Sequence, residues 1–195
     1  PGATTGNKRV NPKPQRISIP AMKLRLALAC ALAAVASPLA AERLEFDHRL
    51  YPPLQRVLDA DDKGMIDFQG DNPARLVDLI AVKGTSAKDW TEAMEIVSIP
   101  RPRKIATARD WMALLQQQTV GRCPAATFTL LAEDANSVTF ERRSPACAAE
   151  PASLGIHRLV AGKRSWFELS VLAKDGLDPA AREQWLALLA SARID

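Results

Sequence analysis

A β-hairpin flanked by two cysteines is the feature that most restricts how this chain can fold. Residues 127–133 (TFTLLAE) and 137–143 (SVTFERR) are rich in β-branched and aromatic residues, and residues 134–136 (DAN) separate them. This spacing predicts two antiparallel strands joined by a three-residue loop. The register of such a loop gives three opposed pairs: Glu133 with Ser137, Ala132 with Val138, and Leu130 with Phe140.

The same register places Cys123 opposite Cys147, just beyond the paired strands. Opposed Cβ atoms in a hairpin lie about 4.5–5.5 Å apart, near the separation that a disulfide tolerates. Closing this loop would add about 3 kcal/mol to the free energy of unfolding. A redox-active or nucleophilic cysteine is the alternative, but Cys123 follows a predicted helix C-terminus, where the helix dipole raises a thiol pKa. We therefore expect a structural disulfide.

Residues 22–41 (MKLRLALACALAAVASPLAA) have the pattern of a secretory signal peptide. Lys23 and Arg25 precede an apolar run that is too short to span a bilayer. Small residues follow, and we expect cleavage after Ala41 or, alternatively, after Ala36. A buried core helix is the other interpretation of this run. The signal peptide predicts a periplasmic or secreted protein whose mature form has no transmembrane helix, and a disulfide suits such an oxidising compartment.

The basic residues of the chain are concentrated upstream of residue 42. The whole chain has a formal net charge of +4, but residues 1–41 hold six basic residues and no acidic one. Removing these six from the 26 Lys and Arg leaves 20 against 22 Asp and Glu, a net charge of −2. A nearly neutral mature chain lacks the charge of a nucleic-acid binder, so no nucleic-acid partner is expected.

Two further features fall in this N-terminal part. Residues 1–21 are rich in Pro, Gly, Asn and Lys without an apolar period, which predicts a disordered upstream extension. A basic nucleic-acid-binding tail is the alternative for them. Cys30 would be the lipidated residue of a lipoprotein, but residues 27–29 (ALA) depart from the usual Leu-small-small pattern, so lipidation is not expected. Residues 42–195 remain as one domain.

Hydrophobic periodicity predicts the other elements of this domain. Strands are expected at residues 64–69, 76–82 and 91–99. Residues 107–119 are predicted as a helix that begins with a capping box of Thr107 and Asp110 and stops at Gly121. The order of strands, helix, strands and helix predicts an α+β fold, an antiparallel sheet of hairpins with packed helices in an αβα sandwich-like arrangement.

A second hairpin and a final helix complete the prediction. Residues 155–161 and 164–172 read as strands that turn at Gly162-Lys163. Asp178 as N-cap and Pro179 at the first helical position indicate the helix start. The apolar stripe of this helix consists of Ala181, Trp185, Leu188 and Leu189.

The register of the second hairpin places His157 opposite Glu168, and Leu159 opposite Trp166. A His–Glu pair is half of a general-base arrangement, so a small hydrolase is the alternative function. No serine or cysteine is placed as a nucleophile by any motif. A cross-strand polar pair without catalytic function is the simpler interpretation.

Basic and aromatic side chains are the candidates for ligand binding. Arg142, Arg143, Arg158 and Arg164 gather on the two hairpins, where they would bind an anionic group or keep an exposed strand edge soluble. Trp166 and Trp90 remain open as contact residues, because neither lies on a helical apolar stripe.

The sequence predicts neither a metal site nor a cofactor site. Asp47-His48 has no further ligand at metal-site spacing. The acidic cluster at residues 59–62 lacks the distal Glu of a calcium loop, so we expect a solvated turn there. No glycine-rich phosphate loop is present in the sequence.

Three stretches resemble a class of uncharacterised, exported bacterial proteins. They are residues 83–84 (KG) followed by 90–92 (WTE), the Cys123 and Cys147 pair around a hairpin, and a final helix over residues 185–195. The order of elements from residue 64 onward is also similar to that of PsbP-like domains. This resemblance implies a small αβα sandwich that acts as an accessory or binding module, and it supplies no catalytic residue.

The leader, the cysteine pair and the absence of a catalytic motif together predict an exported, non-enzymatic binding or accessory protein of the cell envelope. Its partner would be an envelope protein or a small ligand.

Overall fold

A seven-stranded antiparallel sheet organises the residues that the computed structural model describes, 42–69, 74–145 and 147–195. In chain order the strands are β1 (Leu44–Glu45), β2 (Ile66–Gln69), β3 (Leu76–Ser86), β4 (Asp89–Pro100), β5 (Thr127–Glu133), β6 (Ser137–Arg143), β7 (Leu154–Ala161), β8 (Ser165–Ala173) and β9 (Arg193–Ile194). The sheet order is β2-β3-β4-β8-β7-β6-β5, and β1 pairs with β9 in a separate ribbon. The helices are α1 (Pro52–Ala60), α2 (Ala108–Arg122) and α3 (Pro179–Ala190).

Several predictions fall outside the described residues. They concern the extension over residues 1–21, the signal peptide over residues 22–41, its cleavage after Ala36 or Ala41, and Cys30.

Helices cover both faces of the sheet. α1 and α3 pack on the face that carries Ile80, Met94 and Leu169, which we call the α1/α3 face. α2 packs on the opposite face, which carries Phe140 and Leu159 and which we call the α2 face. Successive side chains of a strand point to opposite faces of the sheet. Each central strand therefore packs against helices on both of its faces. The predicted single α+β domain with an antiparallel sheet is confirmed.

α3 supplies Trp185, the largest side chain of the α1/α3 face. Asp178 caps the helix by accepting a hydrogen bond from the Ala181 backbone N–H at 2.9 Å, as predicted. Trp185, Leu188 and Leu189 are fully buried. Burying one such side chain stabilises the fold by about 1.5–3 kcal/mol, so this stripe holds α3 against the sheet.

α2 begins where the sequence predicts but ends later. The capping box is present, since Thr107 and Asp110 exchange side-chain and backbone hydrogen bonds at 3.1 Å each. The prediction that Gly121 stops the helix is wrong, because α2 continues to Arg122. Cys123 leaves the helical conformation with φ −132° and ψ 80°. It precedes Pro124, which disfavours the α conformation of the residue before it and so ends the helix.

The first hairpin forms with a shorter loop than predicted. The Asp134 N–H donates to the Ser137 carbonyl, which leaves a two-residue loop, and the pairs nearest the loop shift by one residue. The predicted pairs of Glu133 with Ser137 and of Ala132 with Val138 are therefore wrong. A bulge between Leu130 and Ala132 then restores the predicted register, so Leu130 does lie opposite Phe140. The carboxylate of Asp134 closes the loop by accepting from two backbone N–H groups at 2.8 Å.

The second hairpin turns at Lys163-Arg164 instead of Gly162-Lys163. Its register is consequently shifted by two residues from the prediction. A shift of two keeps every side chain on its face, so the predicted core residues remain correct although their partners change.

Glu42 explains the position of this turn. Its carboxylate accepts hydrogen bonds from the backbone N–H groups of Lys163, Arg164 and Ser165, at 2.8, 2.9 and 2.7 Å. Burial raises the pKa of Glu42, but these three bonds outweigh it and leave the pKa below its ordinary value. A Cβ atom at Gly162 would meet a Glu42 oxygen at 2.6 Å, so only glycine fits there.

Three elements, α1, β1 and β9, have no counterpart in the prediction. α1 begins with Pro52 and Pro53 at its first positions and buries Leu54. The expected continuous helix over residues 185–195 is wrong, because α3 ends at Ala190 and β9 pairs with β1. Strands of two residues are too short to show a periodic pattern, so β1 and β9 leave no signal in the sequence.

A buried carboxylate joins α1, the sheet and α3. Glu92 on β4 is 3% exposed. Its Oε1 accepts hydrogen bonds from the Tyr51 hydroxyl and from Trp185 Nε1, the latter at 2.8 Å. Lys83 Nζ donates to Oε2 at 2.6 Å. Burial and the adjacent Glu92 carboxylate raise the pKa of Tyr51 well above its ordinary value, so the phenol stays a donor.

A β-bulge aims Lys83 at this carboxylate. The register of β3 against β4 shifts between Ala81 and Lys83, so that Lys83 lies opposite Glu92. Without the shift, strand alternation would send Lys83 to the α2 face together with Ala81. The bulge therefore completes the set of donors around Glu92.

Removal of this carboxylate should destabilise the fold strongly. We expect Glu92→Ala to lower the free energy of unfolding by about 3 kcal/mol, because the Tyr51 hydroxyl and the Trp185 indole N–H would stay buried without an acceptor. Glu92→Gln keeps an oxygen at Oε1 and should cost only about 1 kcal/mol. Urea unfolding measures both.

The matched control is Glu45→Ala, since Glu45 forms an exposed ion pair with Arg193. It should cost at most about 1 kcal/mol. Equal losses in Glu92→Ala and Glu45→Ala would contradict a structural role for Glu92.

Candidate functional site

The predicted disulfide between Cys123 and Cys147 is present, with Cα atoms 5.8 Å apart. Cys123 ends α2, and Cys147 lies in the connection between β6 and β7. The same connection carries Glu150, which forms ion pairs with Arg122 of α2, at 2.8 Å, and with Arg142 of β6. One covalent bond and two ion pairs thus fasten this connection to its neighbours.

His157, Glu168 and Ser170 form a polar cluster on the α2 face, which we call the imidazole cluster. Nδ1 of His157 lies 2.9 Å from Glu168 Oε1 and 2.8 Å from Ser170 Oγ. Ser170 Oγ donates to Glu168 Oε1 at 3.1 Å. Ser170 is the residue opposite His157, so the predicted opposition of His157 and Glu168 is wrong, and the two meet diagonally. Glu168 instead faces Leu159, and Trp166 faces Ala161.

The imidazole cluster lacks the geometry of a hydrolase triad. A carboxylate only accepts hydrogen bonds, so Nδ1 of His157 carries the proton that it gives to Glu168. In a triad the nucleophile hydroxyl lies at the other nitrogen, Nε2. Here Ser170 Oγ shares Nδ1 with the carboxylate and is fully buried. Nε2 has no hydrogen-bond partner in the described part of the chain.

A neighbouring glycine makes room for the imidazole. His157 is 7% exposed and stacks on Phe140, with ring centroids 4.9 Å apart. A Cβ atom at Gly155 would lie 2.4 Å from Nε2. The ring therefore occupies the space above Gly155.

Electrostatics tie the imidazole cluster to Glu95 on β4. Burial raises the pKa of Glu168, but the hydrogen bond and the charge of His157 prevail and leave that pKa below its ordinary value. Burial and the nearby Glu168 carboxylate raise the pKa of Glu95. Arg142 and Arg75 act on Glu95 in the opposite direction. The charges of the basic side chains thus partly offset those of the Glu168 and Glu95 carboxylates.

The candidate arginines do not form one patch. Arg142 is 5% exposed on the α2 face and binds Glu150, and burial lowers its pKa. Arg143 is mostly exposed and pairs with Glu141 at 2.7 Å. Arg158 lies on the α1/α3 face, where it donates to Thr139 Oγ1 at 3.2 Å. Arg142 and Arg158 therefore lie on opposite faces of the sheet, and an anion site formed by the candidate arginines stays a prediction.

The candidate tryptophans are core residues. Trp166 is fully buried and lies 5.5 Å from Trp111 of α2 between ring centroids. Trp90 is 6% exposed, and Lys174 Nζ lies 4.7 Å from its ring centroid. Neither ring has the free face that stacking on a ligand requires.

The N-terminal acidic residues have local partners. Asp47 pairs with Arg49 at 2.8 Å, and Asp62 accepts from the Gly64 backbone N–H at 2.9 Å in the turn after α1. Within residues 42–69, 74–145 and 147–195, no His, Cys, Asp or Glu side chains gather in the number that a metal ion requires. No helix in these residues is both long and apolar enough to cross a membrane.

An apolar cleft of about 410 Å³ opens on the α1/α3 face, beside the β1–β9 ribbon. Its lining includes Phe46, Phe68, Leu76 and Phe167, together with the carboxylate of Asp78. The predictions from the sequence do not include this cleft. The signal was present as one acidic residue inside the apolar run LVDLIAV of β3.

No family model matches the chain, and no curated protein matches it closely enough to be a relative. The resemblance to PsbP-like domains and to exported bacterial proteins therefore stays a prediction.

Removal of the His157 imidazole should destabilise the fold, because Glu168 would stay buried without its main partner. We expect His157→Ala to lower the free energy of unfolding by about 3 kcal/mol at pH 7, because the carboxylate loses its charged or N–H partner. The lowered pKa of Glu168 contributes stability above the ordinary glutamate pKa of 4.5, and this contribution is lost as the pH falls through the lowered value. The deficit of the variant should therefore shrink at acidic pH.

Urea unfolding at pH 7 and at pH 4 tests this expectation. The double variant His157→Ala/Glu168→Gln removes the unpaired charge of Glu168. It should recover part of the free energy of unfolding that His157→Ala loses. A double variant less stable than His157→Ala alone would contradict the assignment.

Proposed function

We propose that this chain is an exported, non-enzymatic accessory protein of the cell envelope that binds a ligand or partner without transforming it. The observation that carries the non-enzymatic part is the imidazole cluster. Ser170 and Glu168 share one nitrogen of His157, which gives the hydroxyl no general base of its own. The cluster instead satisfies a buried carboxylate inside the sheet.

The cysteine pair supports the exported part of the proposal. A disulfide between Cys123 and Cys147 suits an oxidising compartment and is uncommon in the bacterial cytosol. It agrees with the signal peptide that the sequence predicts over residues 22–41.

Fractionation of a bacterial host tests the export. The chain, expressed with residues 1–41, should be recovered from the periplasm or medium as a form that begins at Glu42 or, with the alternative cleavage, at Ser37. Cys123 and Cys147 should not react with a thiol reagent before reduction. A variant without residues 22–41 is the control and should stay in the cytoplasm. Recovery with Met22 retained and two free thiols would overturn the proposal.

A covalent probe tests the hydrolase alternative, which rests on the 2.8 Å contact between Ser170 Oγ and His157. We expect a fluorophosphonate to leave the mass of the protein unchanged, because the hydroxyl is fully buried. We also expect hydrolysis of p-nitrophenyl acetate at the same rate with wild type and Ser170→Ala. A label on Ser170 together with loss of turnover in Ser170→Ala would establish the enzyme instead.

A further inference from the structure

Four buried or half-buried carboxylates of this protein are paired through hydrogen bonds or ion pairs. Glu92 receives three donors, and Glu168 receives His157 and Ser170. Glu141 pairs with two arginines, and Glu150 does the same. Two half-buried carboxylates, Asp78 and Glu95, make no hydrogen bond or ion pair within the described part of the chain, but basic side chains act electrostatically only on Glu95. A carboxylate that is partly removed from water without a partner costs stability, so its presence asks for another explanation.

The surroundings of Asp78 are apolar. Asp78 lies opposite Phe68 of β2 and opposite Ile96 of β4. Opposed side chains in a sheet have Cβ atoms about 4.5–5.5 Å apart, so both neighbours contact the carboxylate region. Burial raises the pKa of Asp78, and among the described residues no basic side chain forms an ion pair with it. Arg43 also lines the cleft but does not offset this burial.

The cleft also exposes apolar surface. Phe68 is 65% exposed and Leu76 is 45% exposed, and both line it. Exposed apolar patches on soluble proteins commonly mark interaction sites. A volume of about 410 Å³ lies in the range of small-molecule sites, which are mostly apolar with a few placed polar groups.

We propose that this cleft binds a small amphipathic amine, with its apolar part against Phe68, Leu76 and Phe167 and its ammonium group paired with Asp78. The ammonium supplies the counter-charge that the described residues do not, and the apolar part covers the exposed side chains of Phe68 and Leu76. This ligand class rests on the proposed function, because it gives a non-enzymatic binding protein something to bind.

Isothermal titration with two probes of equal chain length tests the charge requirement. Decylammonium and decanoate are each used below the concentration at which they form micelles. Wild type should bind decylammonium at least tenfold more tightly than decanoate. Asp78→Asn should weaken decylammonium binding about tenfold and leave decanoate binding unchanged, whereas Phe68→Ser should weaken both.

Asp175→Asn is the matched control, because it removes one negative charge from an exposed site at the far end of β8. It should leave both affinities unchanged. If Asp78→Asn leaves decylammonium binding unchanged, or if Asp175→Asn weakens it equally, the proposed site is wrong. Export with an intact disulfide would then still support the proposed function, so the two failures are distinguishable.

Thermal unfolding at pH 7 tests whether the Asp78 carboxylate stabilises the fold. Asp78→Asn should raise the Tm, because the uncompensated burial of a charge is removed. A lowered Tm would show that the carboxylate has a structural partner, and it would overturn the proposal.

Discussion

The hydrogen bonds around Glu92 determine how α1 and α3 meet the sheet. Tyr51 at the start of α1 and Trp185 on α3 donate to the same carboxylate oxygen, and their rings lie 4.1 Å apart between centroids. A buried ion pair adds little net stability compared with apolar packing, but breaking one is costly. Glu92 therefore fixes the positions of α1 and α3 relative to β4, and the surrounding apolar side chains supply most of the stabilisation.

The two faces of the sheet use polar groups differently. On the α2 face, charges of opposite sign lie close together: Glu95 and Glu168 act on the pKa of Arg142, and His157 acts on the pKa values of both carboxylates. On the α1/α3 face, Glu92 is fully provided with donors, while Asp78 stands among apolar neighbours. Glu95 also lacks a hydrogen bond, but Arg75, His157 and Arg142 offset its charge, whereas Asp78 has no such basic neighbours among the described residues.

Local signals predicted much of this fold, and long-range contacts explain the errors. The capping box at Thr107 and the hairpins follow from adjacent residues, as does the cysteine pair, whose register a bulge restores. The turn of the second hairpin depends on Glu42, more than 100 residues away in sequence, which no local pattern contains. The sequence predicts that His157 and Glu168 lie close together. That Ser170 Oγ meets Nδ1 of His157 depends on the two-residue register shift, which the local sequence does not predict.

Protection of a sheet edge is a known use for a charge that points inward from a strand. Asp78 does not fit this use, because β3 is hydrogen-bonded on both sides, to β2 and to β4. The edge strand is β2, and its residue opposite Asp78 is the exposed, apolar Phe68. The charge that could protect this edge is Asp67, which lies on β2 itself. Asp78 instead lies in the lining of an apolar cleft, which is the arrangement expected of a site for a ligand with a cationic group and an apolar part.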